Sequence, residues 1–339
     1  MNESAAPITL SAAPPMPQAR LGRSGLPVSR LGLGLAALGR PAYMAPGRDT
    51  DLGSDRSIET MRQHCQSMLD AAYAAGVRYL DAARSYGCAE QFVNVWWTGR
   101  RLPDTALTVG SKWGYIYRGQ WRLDAPVHEV KDHSLSTLRE QLAESRGILG
   151  RRLSLYQIHS ADSPSGVLDD RAVLNELGWV REQGLSVGLT VTGPRQRDVI
   201  RRALDIRVDG VMLFDTVQAT WNLLEPSAGD ALADAHREGW GVIVKEALAN
   251  GRLTNRFGGP ELRDIRQRAG DLGTAVETLA MAAALAQPWA DIVLSGAVTR
   301  GQLEAHVAAI ALINDDAPIP APVESPDAYW LRRAALMWS

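Results

Sequence analysis

The sequence predicts a single-domain (β/α)8 barrel, an α/β fold of the TIM type. Short apolar segments alternate with segments of helical periodicity from about residue 31 to about residue 313. The apolar segments are continuous runs, as expected for parallel strands whose two faces are both covered. No linker-like stretch interrupts the alternation, and this favours one domain over two.

The N-terminal part is expected to lead into the barrel through a small hairpin. Residues 1–19 are rich in Ala, Pro and Ser, which predicts a disordered lead. Short apolar pieces flanked by glycine then predict a hairpin and a buried strand at about Leu31–Leu35. The polar, Gly/Pro-rich stretch 40–57 is expected to be a loop, and Ser57 can cap a helix that ends before Gly76.

Seven further strands complete the predicted barrel. They are expected at Val77–Leu80, Ala106–Gly110, Leu153–Ile158, Ser186–Leu189, Gly210–Phe214, Val242–Val244 and Ile292–Leu294. Helices are expected between them, at about 89–99, 131–149, 170–183, 195–205, 228–238, 271–286 and 300–313. The barrel would then occupy residues 20–315, with residues 316–339 as a C-terminal tail over its rim.

A doubly wound open sheet is the alternative fold. Such a sheet normally carries a Gly-rich fingerprint after its first strand, at the start of a helix. The segment Leu31-Gly-Leu-Gly-Leu-Ala36 lacks the third glycine at the required spacing and is not followed directly by a helical pattern. The barrel is therefore favoured.

Composition excludes several classes of protein. The net charge is −2 and the basic residues are spread along the chain, so no nucleic-acid-binding patch is indicated. No apolar run approaches the roughly 20 residues of a membrane span. Cys65 and Cys88 fit neither a disulfide framework nor a metal-binding spacing, and no His/Asp cluster predicts a metal. A cytoplasmic protein is expected, and its oligomeric state is left open.

Polar side chains stand at the ends of three consecutive predicted strands. Asp81 follows the second strand and Tyr86 lies on its loop, while Lys112 and His159 end the third and fourth strands. A single residue of this kind usually has a structural role, such as capping a turn or bonding a neighbouring backbone. Four of them on adjacent strand ends would lie close together at the face of a barrel where active sites form.

These four side chains fit proton transfer to a carbonyl oxygen. A phenol is too weak an acid at neutral pH unless a nearby ammonium lowers its pKa. Tyr86 is therefore the candidate acid, Lys112 the group that tunes it, Asp81 the partner of Lys112, and His159 a donor that positions the substrate oxygen. None of them can supply a hydride, so a cofactor would have to do so.

The chain resembles the aldo-keto reductase superfamily from Leu21 to about Ile313. The segment 22–34 is similar to the family's N-terminal hairpin and first strand, and the four polar residues match its Asp/Tyr/Lys/His tetrad in order and spacing. The segment 217–224 resembles the part of the family whose glutamine, here Gln218, supports the nicotinamide. The resemblance implies a TIM barrel that reduces an aldehyde or ketone with NAD(P)H, or oxidises an alcohol or sugar.

The nicotinamide site departs from the family's pattern. Thr190 and Val191 stand where a Ser-Asn pair usually holds the carboxamide, so that Thr190 could replace the serine hydroxyl. Lys245 and Glu246 stand where many members carry an aromatic residue that stacks on the nicotinamide. Trp221 is a candidate to supply that stacking instead.

The segment 294–303 resembles the part of the family that binds the adenosine phosphate end of the cofactor. Ser295 and Gly296 stand where a lysine often falls, and Gln302 lies near the position of the usual arginine. Arg300 could still pair with a phosphate. The resemblance favours NADP(H), with NAD(H) as the alternative.

Aromatic residues predict the walls of a substrate pocket. The segment 113–121 after the third strand and the C-terminal tail are both rich in them, with Trp113, Tyr115 and Trp330 as candidates for the pocket. Core packing is the alternative for any one of these side chains. Such a pocket would suit a small carbonyl or alcohol substrate that is apolar, planar or a sugar.

A protein of a different class would share many of these features. A barrel that binds the dinucleotide without turnover, as a sensor or regulatory subunit, is the alternative to the reductase. The altered residues around the nicotinamide are the observation that favours it.

Overall fold

A computed structural model describes residues 15–44, 47–313, 319 and 321–338. Its strands are β1 (Gln18–Leu21), β2 (Leu26–Ser29), β3 (Leu31–Gly34), β4 (Tyr79–Asp81), β5 (Thr108–Trp113), β6 (Tyr115–Tyr117), β7 (Glu129–Lys131), β8 (Leu153–Ala161), β9 (Ser186–Val191), β10 (Arg207–Val208), β11 (Val211–Met212), β12 (Thr216–Thr220), β13 (Gly241–Lys245) and β14 (Ile292–Ser295). Its α-helices are α1 (Arg48–Leu52), α2 (Ile58–Ala74), α3 (Ala89–Arg100), α4 (Leu135–Leu149), α5 (Arg171–Glu182), α6 (Gln196–Leu204), α7 (Gly229–Arg237), α8 (Arg263–Asp271), α9 (Val276–Leu285), α10 (Arg300–Ala308) and α11 (Pro326–Ala334).

Eight of these strands form a closed parallel barrel, which confirms the predicted fold. Around the barrel they follow the order β3, β4, β5, β8, β9, β12, β13 and β14, and β14 closes on β3. Leu33 of β3 lies opposite Leu80 of β4, and both side chains are buried. Both faces of the barrel strands are covered, which explains why the sequence shows continuous apolar runs there.

The predicted N-terminal hairpin is formed by β1 and β2 and covers one end of the barrel. Leu21 and Val28 of the hairpin pack in a buried cluster with Tyr79 and Ile243 of the barrel. A Cβ atom built at Gly241, the first residue of β13, would lie 2.5 Å from the Leu21 side chain. The hairpin therefore lies against the amino ends of the strands. Of the predicted disordered lead 1–19, residues 1–14 lie outside the described residues, whereas Gln18 and Ala19 already belong to β1, so the hairpin begins earlier than predicted.

Tyr79 fills the inside of the barrel next to the predicted site. The side chain is fully buried, and its hydroxyl lies 3.4 Å from Asp81 Oδ1. A Cβ atom at Gly110 on the neighbouring strand would lie 2.3 Å from the same hydroxyl. Glycine at this position therefore leaves the space that lets the tyrosine support the Asp81 carboxylate.

The sixth barrel strand lies at Thr216–Thr220, and the prediction of Gly210–Phe214 was wrong. Asp209 and Gly210 have φ values of 50° and 77° and form the turn of a two-residue hairpin between β10 and β11. The apolar run that suggested a strand belongs partly to this hairpin. The true strand contains threonine and glutamine, so it looks less hydrophobic although all its residues are buried.

The predicted cap of the first long helix is confirmed. The Thr60 N–H donates to Ser57 Oγ at 3.3 Å, and Gly76 follows the helix with a left-handed φ of 88°. Two features of the rim were not predicted. The stretch after β5 forms the antiparallel pair β6 and β7, and the C-terminal tail contains α11, whose first turn is capped by the Ser325 side chain. Within the described residues, no helix is long and apolar enough to cross a membrane.

Candidate active site

The carboxyl ends of neighbouring barrel strands bring the four predicted side chains together. Asp81 ends β4, Lys112 lies near the end of β5, and His159 lies near the end of β8. Asp81 pairs in register with Gly110, and Lys112 pairs with Gln157. Parallel strands point their carboxyl ends to one face, so these side chains meet there.

Asp81 and Lys112 form a buried ion pair. Lys112 Nζ donates to Asp81 Oδ2 and also to the carbonyl oxygen of Ala82 at 2.9 Å. Gln218 Nε2 donates to the other carboxylate oxygen of Asp81 at 2.9 Å. Burial lowers the pKa of Lys112, and the Asp81 charge acts in the opposite direction. The carboxylate therefore keeps the ammonium charged and oriented.

Tyr86 lies against this ion pair. Lys112 Nζ is 3.4 Å from the phenol oxygen of Tyr86 and 4.8 Å from the centre of its ring. Burial and the Asp81 charge nevertheless raise the pKa of Tyr86 well above its usual value, and the cation that counteracts them is Arg40. The expectation that Lys112 would lower this pKa is therefore not met in the protein alone, where Tyr86 is a protonated donor.

His159 lies beside Tyr86 as a neutral imidazole. The two rings meet edge to face with centroids 5.5 Å apart, and the Tyr115 ring also meets His159 edge to face, at 4.9 Å. Burial, followed by the charges of Lys112 and Lys245, lowers the pKa of His159 well below its usual value. A neutral imidazole carries one N–H, which makes His159 able to donate a hydrogen bond without changing the charge of the site.

One cavity of about 700 Å³ opens over these residues. Asp81, Tyr86, His159 and Tyr115 line it at one end, and Ser295 lines it at the end of β14. Further lining residues come from the turn after β3, the loop after β13 and the C-terminal helix α11. The cavity therefore spans the carboxyl face of the barrel.

Most of the predicted cofactor residues line this cavity. Those that do so are Thr190, Gln218, Lys245, Ser295, Gly296 and Gln302. Thr190 Oγ1 accepts a hydrogen bond from the Ser160 N–H at 2.7 Å, and Ser160 has a left-handed φ of 58°. The threonine hydroxyl therefore holds the turn that follows His159, a use that the sequence did not indicate.

Two predicted cofactor residues lie elsewhere. Trp221 packs edge to face on Trp289 at 5.7 Å, away from the residues that line the cavity, so its placement does not fit the suggested stacking role. Arg300 is exposed, and its guanidinium lies 3.4 Å from Ser67 Oγ of α2. The side chain is thus directed to the outer surface, and its placement does not fit the suggested phosphate contact.

Of the predicted substrate residues, only Tyr115 lines the cavity. Trp113 is fully buried and packs on His133, with ring centroids 5.6 Å apart. Trp330 packs in a separate buried cluster with Leu262 and Tyr329. Both tryptophans therefore pack in the core and do not line the pocket, because the geometry of their strand and helix turns them away from the opening.

The structure adds cavity residues that the sequence did not single out. Arg40 is buried, lies 5.2 Å from the Tyr86 ring and forms an ion pair with Glu129 at 2.8 Å. Arg333 of α11 forms an ion pair with Glu246 at 2.5 Å across the cavity wall. Both arginines lie far in sequence from their partners, so local patterns carry no signal for these pairs.

The aldo/keto reductase family model matches residues 30–319, and the chain therefore belongs to this family. The NADH-specific methylglyoxal reductase of Escherichia coli (strain K12) is 26% identical over 332 residues, covering 88% of this chain and 94% of that protein. The predicted resemblance is thus confirmed. The enzyme is an NAD(P)-dependent oxidoreductase that interconverts small carbonyl compounds and alcohols. The similarities give no support to the non-catalytic alternative.

Solved structures share the fold. An aldo-keto reductase from Bacillus halodurans in its holo form aligns with a TM-score of 0.65 and 21% identity, covering 94% of this chain and 96% of that one. The glycerol dehydrogenase of Gluconobacter oxydans aligns with a TM-score of 0.62 and 20% identity, covering 90% of this chain and 95% of that one. At these identities the likeness concerns the barrel itself.

Proposed function

We propose that the enzyme reduces a small aldehyde or ketone, with Tyr86 as the proton donor to the carbonyl oxygen. The observation that carries this proposal is the contact of Lys112 Nζ with both Asp81 and the phenol oxygen of Tyr86. The ammonium stabilises the phenolate that remains after the proton has left. Asp81 keeps that ammonium in position, so the three residues act as one unit.

His159 orients the carbonyl oxygen in this proposal. Its ring lies next to Tyr86 and lines the same cavity. Because its lowered pKa keeps it neutral, the imidazole donates a hydrogen bond and leaves the proton transfer to the phenol. An oxygen held between the two donors is polarised toward attack at carbon.

The cavity fits a dinucleotide. Gly34 at the end of β3 and Ala36 and Ala37 in the turn after it line the wall, and these small residues leave room for an extended ligand. Gln218 uses Nε2 to bind Asp81, which leaves its carbonyl oxygen for an amide N–H. Ser295 and Gln302 would lie toward the adenosine end. When bound, the nicotinamide supplies the hydride that no side chain can provide.

We infer that NADH is the preferred cofactor, although the sequence favoured NADP(H). Two carboxylates, Asp51 and Glu277, line the cavity, and Gln302 Nε2 donates to Asp51 at 2.9 Å. Arg256, which also lines the cavity, pairs with Asp51 and balances its charge, so Glu277 is the carboxylate that would accept from a ribose hydroxyl and repel a 2′-phosphate. Arg300, the candidate partner of such a phosphate, is directed away. The NADH-specific relative is consistent with this inference.

Fluorescence titration tests the cofactor preference, because ten tryptophans provide a signal. NADH is expected to bind about tenfold or more tightly than NADPH, the ratio that one charge contact typically produces. The Glu277→Gln variant should narrow that difference by removing one repulsive charge. Tighter binding of NADPH than NADH would overturn the inference.

The Tyr86→Phe variant tests the proton donor. It is expected to lower kcat by a factor of about 10² to 10⁴, the usual contribution of a general acid, while the Kd of the cofactor stays nearly constant. Tyr115→Phe removes the hydroxyl of a different phenol in the same cavity and should lower kcat far less. Full activity in Tyr86→Phe would refute the mechanism.

We also propose that the protein is cytoplasmic and that its barrel forms a single domain. The cytoplasm is proposed on the basis of two cysteines, both free, in no disulfide-forming arrangement. One domain over residues 20–315 with a C-terminal tail is consistent with a continuous barrel.

A further inference from the structure

The cations around the cavity are mostly paired with carboxylates. Such pairs are Arg40 with Glu129, Arg256 with Asp51, and Arg333 with Glu246. Lys245 differs from them. Among the described residues its ammonium has neither a hydrogen bond nor an ion pair, although it lines the cavity at the end of β13.

The adjacent carboxylate of Glu246 makes no hydrogen bond or ion pair with Lys245, although its charge favours the ammonium. Both oxygens of Glu246 accept from Arg333 Nε, at 2.9 and 3.0 Å. One of them also accepts from Thr220 Oγ1 at 3.0 Å. The Glu246 carboxylate is therefore bound by α11 and by β12, and Lys245 is left without a direct partner in the part of the chain that the structure describes.

An unpaired ammonium in this environment has a strong affinity for an anion. Burial lowers the pKa of Lys245 to about 8, and the charges of Arg333 and Lys112 act in the same direction, while Glu246 opposes them. The ammonium is still mostly protonated at pH 7. A bound anion would replace the water that the lysine has lost and would neutralise its charge.

The position of Lys245 relates that anion to the reacting carbonyl. Lys245 lines the same cavity as Tyr86 and His159, and its charge is among those that lower the pKa of His159. An anion at Lys245 and a carbonyl oxygen at Tyr86 would therefore lie in one chamber. A single small molecule that carries both groups would satisfy both sites.

We propose that Lys245 binds an anionic group, a carboxylate or a phosphate, carried by the carbonyl substrate itself. This rests on the proposed function, because it assumes that the carbonyl lies at Tyr86. The preferred substrates are then small aldehydes or ketones that also carry an acidic group. The phosphates of the cofactor are the other source of the same chemistry, and the Kd of NADH in a Lys245 variant separates the two.

The test compares succinic semialdehyde with butanal, in which a methyl group replaces the carboxylate. The wild-type ratio of their kcat/KM values is expected to favour the semialdehyde by at least about tenfold, since hydrogen bonds to charged groups are strong. In Lys245→Met the ratio should fall to near one. Lys245→Arg and the matched control Arg256→Met, which removes a paired cation of the same cavity, should keep it. The wild-type ratio should also decline as the pH rises through about 8.

Three outcomes would overturn the proposal. The first is a wild-type ratio near one. The second is an unchanged ratio in Lys245→Met together with a tenfold weaker Kd for NADH, which would assign the lysine to the cofactor. If neither aldehyde is turned over, the proposed function fails, and succinate then tests the anion site alone. An increase in Tm with succinate in the wild type but not in Lys245→Met supports the site, and no increase in either protein is the third overturning outcome.

Discussion

Replacing Arg333 by methionine should loosen the C-terminal helix and destabilise the whole barrel. Arg333 anchors α11 to the end of β13 through its two-oxygen contact with Glu246. The side chains of Arg333 and Glu246 are only 20% and 8% exposed. Removing the arginine leaves a buried carboxylate without its main partner, which is costly in a low-dielectric environment.

The shift in the pKa of Glu246 gives the size of the expected loss of stability. Burial acts to raise this pKa from its usual 4.5, but the charges of Arg333 and Lys245 together lower it to about 2. That difference corresponds to about 3 kcal/mol of stability. Since Lys245 supplies part of it, we expect Arg333→Met to lose about 2 to 3 kcal/mol. For 339 residues this is a decrease of about 3 to 4 °C in Tm.

Urea unfolding monitored by circular dichroism measures this loss. A lowered carboxylate pKa stabilises the folded state above the unfolded pKa, and this contribution is lost as the pH falls from 4.5 toward 2. The difference in the free energy of unfolding between wild type and variant should therefore be constant from about pH 7 to 5, below the pKa of Lys245, and begin to narrow below 4.5. The matched control is Arg332→Met, whose side chain is 60% exposed and pairs with Glu324 at 3.1 Å. Arg332→Met should lower the free energy of unfolding by no more than about 1 kcal/mol.

Equal losses in the Arg333 and Arg332 variants would refute this reasoning, because the buried pair would then be worth no more than an exposed one. A double-mutant cycle with Glu246→Gln adds a direct measure of the pair. A coupling energy near zero would likewise contradict the assigned contact.

Three further predictions concern the site. Gly110→Ala should lower the free energy of unfolding by about 2 to 3 kcal/mol, because the added methyl group overpacks against Tyr79. Adding Tyr79→Phe to this variant should restore part of that loss, as measured by urea unfolding. His159 should produce no inflection near pH 6.5 in kcat/KM, since its pKa is lowered; an inflection there that vanishes in His159→Gln would contradict this. Arg40→Met should raise the pKa of Tyr86, so the pH profile of alcohol oxidation moves upward, whereas Arg40→Lys should move it less; an unshifted profile in Arg40→Met argues against this role.

The barrel and the tetrad could be predicted from the sequence because both are encoded locally. Each strand is a short apolar run, and Asp81, Lys112 and His159 fall at the points where such runs end. The parallel arrangement then brings them to one face without any knowledge of loops. The sixth strand, Thr216–Thr220, was missed because it is not an apolar run: it carries threonine and glutamine. The hairpin just before it contains the more apolar run, which was taken for the strand.

The walls of the cavity could not be predicted in the same way. Whether an aromatic side chain faces the opening depends on the direction of its strand or helix, so Tyr115 lines the cavity while the adjacent Trp113 is in the core. The partners of Arg40 and Arg333 lie 89 and 87 residues away in sequence. Contacts of this kind depend on the assembled fold, and a single sequence carries no pattern for them.

The position of α11 has a consequence for how this barrel can vary. Asp81, Lys112 and His159 lie on barrel strands, and Tyr86 follows β4, so α11 supplies no member of the tetrad. It supplies Arg333 and with it part of the cavity wall. The groups that transfer the proton and a wall that selects substrates are therefore encoded in separate stretches of the chain, and evolution can change the second without altering a residue of the first.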